Sequence, residues 1–255
     1  MITKAYITRL ASRQGVPAKT VERDYALAHI VAAIASQSEA SKLVFKGGTA
    51  LRLCHFEDYR YSADLDFSIM GGSTEDALDT IAQGLCTVGG SLNGIRLTKD
   101  NPPRIAYSGP LGRERTIKLD LADDELVFDT EHRRLLPRWS DLPRDTSVHV
   151  YTLLEITAEK LRCVLQRLQC RDFFDLHLLF EEVTVEPAEA ASVFRLKARH
   201  RGFDPESFAK RYAERTEQYR KRWEMELGEH LSGELPHFNE VERRVARHLR
   251  RAGLL

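Results

Sequence analysis

The residues best suited to chemistry lie between Leu43 and Met70, in the run LVFKGGTALRLCHFEDYRYSADLDFSIM. Asp64 and Asp66 stand two apart in the segment from Ala63 to Met70. There Leu65, Phe67 and Ile69 point one way and Asp64, Asp66 and Ser68 the other, which is the period of a half-buried strand. Two carboxylates leaving one strand face repel unless a cation neutralises them or one takes up a proton. A hard divalent ion such as Mg2+ is the natural partner for such oxygens. Asp120, in the alternating run Ile117-Lys118-Leu119-Asp120-Leu121, offers a third carboxylate from a separate strand. Three carboxylates can hold two ions, and two ions can stabilise the attacking and leaving oxygens of a phosphoryl transfer.

A DxD spacing alone is also what a solvated strand face produces, so its surroundings matter. Ahead of it, Gly47-Gly48-Thr49 separates a short apolar strand, Leu43-Val44-Phe45, from a short helical pattern at 49–54. Such a turn presents backbone N–H groups to an anion, and glycine lets the backbone approach a phosphate closely. Thr49 adds a hydroxyl, and Lys46 and Arg52 add cations, although each of these two is by itself more often a solvated surface charge. The spacing GxxxxGK[ST] is absent and so is GxGxxG, which excludes the P-loop and dinucleotide-binding turns.

A glycine turn followed by DxD resembles the nucleotidyltransferases of the DNA polymerase β superfamily. More narrowly, FKGGTALRL…YRYSADLDFSI is similar to the AbiEii/AbiGii nucleotidyltransferase toxins of bacterial toxin–antitoxin systems, the group that includes the MenT toxins. Their R-x-S-x-D-x-D pattern matches Arg60 to Asp66. An acidic residue followed by Lys on a helix matches Glu155 to Lys160, and R-D-x-x-D-L matches Arg171 to Leu176. The resemblance covers roughly residues 20–182. It implies that Lys46, Gly47, Gly48, Thr49, Arg52, Arg60 and Ser62 surround an NTP, and that Asp64, Asp66 and Asp120 hold two Mg2+ ions. Lys160 is a candidate for neutralising a triphosphate or a pyrophosphate leaving group, or else a surface lysine, and Asp172 could simply cap its helix; the resemblance implies instead that Asp172 points into the cleft and orients Lys160 or the nucleotide. An antitoxin partner is implied, and the 3′ end of tRNA is the acceptor for some members.

The elements that must position these residues can be read from the spacing. Amphipathic helices are expected at 2–14, with Gly15 as stop, and at 19–36. A helix at about 75–85 follows the DxD strand. Short strands at 95–98, 104–107 and 116–121 are separated by Asn-Pro-Pro and Gly-Pro-Leu-Gly turns. The stretch 129–147 reads as a surface connection and 148–151 as an edge strand. Helices are then expected at 153–168, 172–182, 188–199, 205–227 and 238–251. The fold class is α+β: a nucleotidyltransferase-type mixed sheet flanked by helices over 1–150, then a helical bundle over 151–255 that completes the cleft.

The 255 residues carry 38 basic and 38 acidic side chains, so no global field draws the chain to nucleic acid. A local basic bias does exist, from Arg195 to Arg222 and again from Arg243 to Arg251, interleaved with Tyr212, Tyr219 and Trp223. It would suit RNA phosphates and unpaired bases, or be a solvated helix face. The four cysteines show no metal spacing and read as buried free thiols, and the nine histidines show no HxxxH or HExxH pairing. The N-terminus lacks the apolar core of a signal peptide and no run reaches the roughly 18 residues of a membrane span, so a cytoplasmic protein is expected. Two alternatives to an RNA-modifying toxin stay open. One is a nucleotidyltransferase acting on a protein or a small molecule such as an aminoglycoside; the other is a nucleotide- or RNA-binding module without turnover.

Overall fold

The structure, a computed structural model, describes residues 2–98, 100–183 and 185–255. Helix α1 (Lys4–Gln14) starts where the Tyr6 amide donates to the Thr3 hydroxyl at 3.3 Å, and stops at Gly15, whose φ of +67° disfavours any side chain. Helix α2 (Ala18–Ala35) is buried almost all round, so its apolar residues run together rather than forming a stripe. Strand β1 (Leu43–Lys46) leads into α3 (Gly47–Ala50), which begins two residues earlier than its spacing suggested. It passes directly into a π-turn over Leu51–His55. Carbonyls of that turn are taken by distant arginines: Arg138 Nε donates to Arg52 O at 2.9 Å and Arg133 Nε to Cys54 O at 3.0 Å.

Strand β2 (Leu65–Ile69) is shorter than the alternating run, so Asp64 sits just ahead of it. Helix α4 (Thr74–Leu85) opens on a reciprocal Ser73–Asp76 capping box. Strands β3 (Asn93–Leu97), β4 (Arg104–Ser108), β5 (Glu114–Ala122), β6 (Thr130–Arg134) and β7 (Ser147–Tyr151) follow. Among the described residues the sheet runs in the order β3-β4-β5-β2-β1-β7-β6. It is mixed: β1 is antiparallel to β2 but parallel to β7, and β2 is parallel to β5. Two expectations are corrected here. The stretch 129–147 contains β6 rather than being only a connection, and β7 lies between β1 and β6 rather than at the edge. Both strands are short and β6 is charged, so strand pairing rather than local pattern decides them.

The helices after the sheet are α5 (Leu153–Gln166), α6 (Cys170–Glu181), α7 (Pro187–His200), α8 (Phe208–Leu227) and α9 (Phe238–Arg251). Pro187 occupies the first turn of α7, where its missing N–H costs nothing, and a separate 3₁₀ turn at Pro205–Ser207 precedes α8. The chain forms two compact units. The first comprises Met1–Glu125, Thr130–Val150 and His230–Gly233; the second comprises Leu126–Asp129, Tyr151–Glu229 and Glu234–Leu255. The first unit's core includes Phe45 and Phe67, facing each other across β1 and β2 with ring centroids 5.2 Å apart. The second centres on Phe173, packed among Tyr212, Tyr219, Trp223 and Phe238. Three cysteines are buried thiols as expected, but Cys86 is exposed. No described helix is long and apolar enough to cross a membrane.

Candidate active site

Strand register builds the centre of the first unit's site. Lys46 of β1 is opposite Asp66 of β2, and Asp66 is opposite Asp120 of β5. Opposed residues on neighbouring strands leave the same sheet face, with strands about 4.8 Å apart. The three side chains therefore form a charged row, one residue out of phase with the apolar Phe45–Phe67 pair. Asp64 and Asp66 are half-buried, while the Asp120 side chain is 56% exposed. Lys46 is buried, with Nζ 3.6 Å from Glu125 Oε1.

The glycine turn packs against this row without room for side chains. Gly47 has φ +75°, and a Cβ there would lie 2.5 Å from Asp66 Oδ2. A Cβ on Gly48 would lie 2.6 Å from Arg60 Nη2 and 3.2 Å from Ser62 Oγ. The two glycines are thus required by the close approach of Asp66, Arg60 and Ser62. Thr49 is fully buried, and its hydroxyl donates to the Asp64 carbonyl at 2.5 Å, tying the start of α3 to the residue that opens the acidic pair.

Arg52, expected at a phosphate, is instead built into the fold. It is 5% exposed, its Nε donates to Asp24 and its Nη1 to the Tyr59 carbonyl. Its guanidinium lies 3.7 Å from the centre of the Tyr61 ring. Burial pushes the Tyr61 phenol up to about 12 against the pull of Arg52, so this stacked ring stays neutral.

Among the described residues no group of three or more His, Cys, Asp or Glu side chains is placed to hold a metal ion. The donor set nonetheless fits Mg2+ in kind. It consists of carboxylate oxygens only, laid in an open row, and Mg2+ binds through one or two carboxylates while keeping waters and substrate oxygens.

The second unit gathers the downstream motif residues. Lys160 Nζ lies 2.8 Å from Asp172 Oδ1 and 2.7 Å from Asp175 Oδ2, with all three side chains at most 7% exposed. Arg167 adds two bonds to Asp172, from Nε at 2.8 Å and Nη2 at 3.1 Å. Burial alone would raise the Asp172 carboxyl, but Lys160 and Arg167 hold it well below the usual range. Glu155 pairs with Lys197, Oε1 to Nζ at 2.6 Å, rather than with anything on its own helix. Burial raises its carboxyl against the pull of Lys197, and the Phe128 and Asp129 amides each donate to Oε2 at 3.3 Å.

The aromatic residues among the C-terminal basic side chains are core: Tyr212, Tyr219 and Trp223 are 6%, 1% and 3% exposed and offer no stacking platform. Arg215 is structural too, its Nη1 donating to the Val164 carbonyl and, at 3.1 Å, to that of Arg167.

Residues 29–247 match a known family, described as nucleotidyl transferase AbiEii toxin of a type IV toxin–antitoxin system. The chain belongs to the AbiEii nucleotidyltransferase toxins. It is accordingly a nucleotidyltransferase, and membership implies a nucleotide substrate and an antitoxin counterpart. A search of curated protein sequences finds no match. Among solved structures, MenT4, a nucleotidyltransferase toxin of Mycobacterium tuberculosis, aligns with a TM-score of 0.73 at 20% identity, covering 100% of this chain and 91% of that one. The AbiEii chain thus shares its fold. An antigenic nucleotidyltransferase-like protein of Paracoccidioides brasiliensis aligns at TM-score 0.42 and 15% identity over 69% of this chain and 88% of its own.

Several residues that hold the candidate site carry no local sequence signal. Asp24 meets Arg52 from 28 positions away. Glu125 meets Lys46, and Lys197 meets Glu155, across still longer separations. Only Lys160 and its carboxylates lie close enough in sequence to form one motif.

Proposed function

We propose that this toxin transfers a nucleoside monophosphate from an NTP to an acceptor hydroxyl in the cytoplasm, with the 3′ end of tRNA as acceptor and Mg2+ as the metal. The observation that supports it most is the row of Lys46, Asp66 and Asp120 laid against the Gly47–Gly48 turn. In this reading the acceptor oxygen bonds to the α-phosphorus and gives up its proton, the bond to the β-phosphate oxygen breaks, and pyrophosphate leaves. Asp64, Asp66 and Asp120 would hold two Mg2+ ions, which when bound supply charge stabilisation for the attacking and leaving oxygens. The turn's backbone amides, with Arg60 and Ser62, receive the phosphates, while Lys46 stays in the row as a counter-charge between Asp66 and Glu125. Thr49 and Arg52 act as braces, since their polar atoms already serve Asp64 and Asp24. For Lys160 and Asp172 the reading rests on their motif and their own geometry, in which two carboxylates fix the ammonium.

Purified protein with α-labelled NTPs, Mg2+ and total RNA should label tRNA, and the Asp64→Ala/Asp66→Ala variant should not. Absence of label, or equal labelling by that variant, overturns the proposal.

A second acceptor class is favoured by the burial of Tyr212, Tyr219 and Trp223. Without exposed aromatics the C-terminal helices suit unpaired bases poorly, and a protein or small-molecule hydroxyl becomes the acceptor. Charge reversal at exposed Arg243, Arg247 and Arg250 separates the two readings. Unchanged transfer to RNA removes these helices from acceptor binding, and label on protein or small molecules alone selects the second class.

A further inference from the structure

We propose that Glu125 is a positioning residue of the carboxylate row: by holding the Lys46 ammonium it limits how far Lys46 neutralises Asp66, and so sets how tightly the row takes a divalent cation. The proposal rests on the metal-assisted reading above. Lys46 and Asp66 are directly opposite in β1 and β2, where facing Cβ atoms lie about 5 Å apart. A lysine spans that distance easily. Opposite Asp66 on the same face of the sheet, it is a counter-charge with which an incoming cation would compete.

The structure supplies that ammonium with another carboxylate. Glu125 Oε1 lies 3.6 Å from Lys46 Nζ, and the two side chains are only 4% and 8% exposed. Glu125 closes the acidic run Asp123-Asp124-Glu125 just after β5. Asp123 and Asp124 are exposed, and Asp123 accepts from the Thr74 hydroxyl at 3.0 Å. Glu125 is the member of the run whose carboxylate is turned inward. So little water reaches the pair that the attraction between Glu125 and Lys46 is weakly screened. Neutralising Glu125 takes one carboxylate away from Lys46, so that Asp66, its register partner, draws more of the ammonium's charge and a cation must then displace a stronger competitor.

The test is Mn2+ binding to nucleotide-free protein, followed by water-proton relaxation, with Mg2+ as competitor. Glu125→Gln should raise the Mn2+ Kd by on the order of tenfold. Lys46→Met should abolish that dependence, so that Lys46→Met and the Lys46→Met/Glu125→Gln double variant bind Mn2+ alike. A further loss on adding Glu125→Gln to Lys46→Met means that Glu125 acts on the cation directly, and overturns the proposal. Should either single variant fail to fold because it strands one buried charge, the double variant, which buries no lone charge from this pair, is compared with the parent: Mn2+ binding at least as tight supports the proposal, and weaker binding overturns it. Asp66→Asn separates the two levels of inference. If the protein binds no Mn2+, or Asp66→Asn binds it as well as the parent, the metal reading fails and this inference with it. If Asp66→Asn weakens binding and Glu125→Gln does not, only the role of Glu125 fails.

Discussion

Substituting Gly47 by Ala tests whether the glycine turn exists for the sake of Asp66. At φ +75° an alanine is in the left-handed region, which costs about 1–2 kcal/mol. The new Cβ would also lie 2.5 Å from Asp66 Oδ2, so the carboxylate must withdraw to at least the 3.4 Å where ordinary contact begins, a shift of 0.9 Å. A misplacement of about 1 Å at a reacting centre costs about 100-fold in rate. Gly15 provides the control. Its φ is +67° and a Cβ there would have nothing within 4 Å, so Gly15→Ala carries the backbone cost without the collision. Chemical denaturation and the rate of nucleotide transfer are then measured on both variants. Gly47→Ala should lose at least as much stability as Gly15→Ala, while only Gly47→Ala loses activity, by about 100-fold. If Gly47→Ala loses stability yet keeps the transfer rate of the parent, Asp66 does not need its observed position and the assignment of the row is wrong.

Asp120→Asn should abolish transfer with little change in stability, because its side chain is 56% exposed and surface substitutions stay within about 0.5 kcal/mol; a melting curve and the labelling assay check this together. Asp172 should govern part of the acid sensitivity. Its carboxyl is held below the usual range, so the unfolded chain takes up that proton first, and the stability it contributes is complete at neutral pH and lost below about pH 4. Asp172→Asn should flatten the fall of denaturation midpoint with pH in that window. At neutral pH it should cost about 3 kcal/mol, the low end for breaking a buried pair, since Asp175 still holds Lys160. Arg215→Ala should destabilise by about 1–2 kcal/mol, because it removes the Arg215 donor from the Val164 carbonyl and leaves that of Arg167 with the Tyr219 hydroxyl alone of its two side-chain donors; a melting temperature equal to that of the parent would contradict the structural role.

How much of this was legible in the sequence depends on how locally each feature is encoded. The helices after residue 150 were visible because apolar periodicity, proline at first turns and glycine at ends all act within a few residues. Helix α9 was bounded correctly at Phe238–Arg251. The DxD strand was visible in its alternation but not in its start, because Ala63 and Asp64 continue the pattern without pairing to a neighbour. Strand β6 was missed: its sequence, TEHRR, has no apolar face to recognise. Tyr212, Tyr219 and Trp223 were placed with the basic residues because they interleave with them in sequence. On a helix that interleaving puts them on the opposite face, where they meet Phe173 and Phe238.

The downstream motif shows why some site residues appear as a spaced pattern and others do not. A lysine as buried as Lys160 tends to lose its proton unless carboxylates surround it. Asp172 and Asp175 stand three apart on α6, share a helix face and both reach the ammonium. The spacing R-D-x-x-D is therefore what a helix needs to keep one buried lysine charged from a single neighbouring element. Glu155 has the same need for a counter-charge, but α5 and α6 are occupied with Lys160, and its partner Lys197 comes from α7. A pairing between helices so far apart in sequence imposes no short spacing on the chain. Glu125 with Lys46 and Asp24 with Arg52 follow the same rule. Apart from Asp172 and Asp175, which hold Lys160 from within a motif, the charges that hold the residues proposed to meet substrate are fixed by the fold and become visible only once the strands and helices are in place.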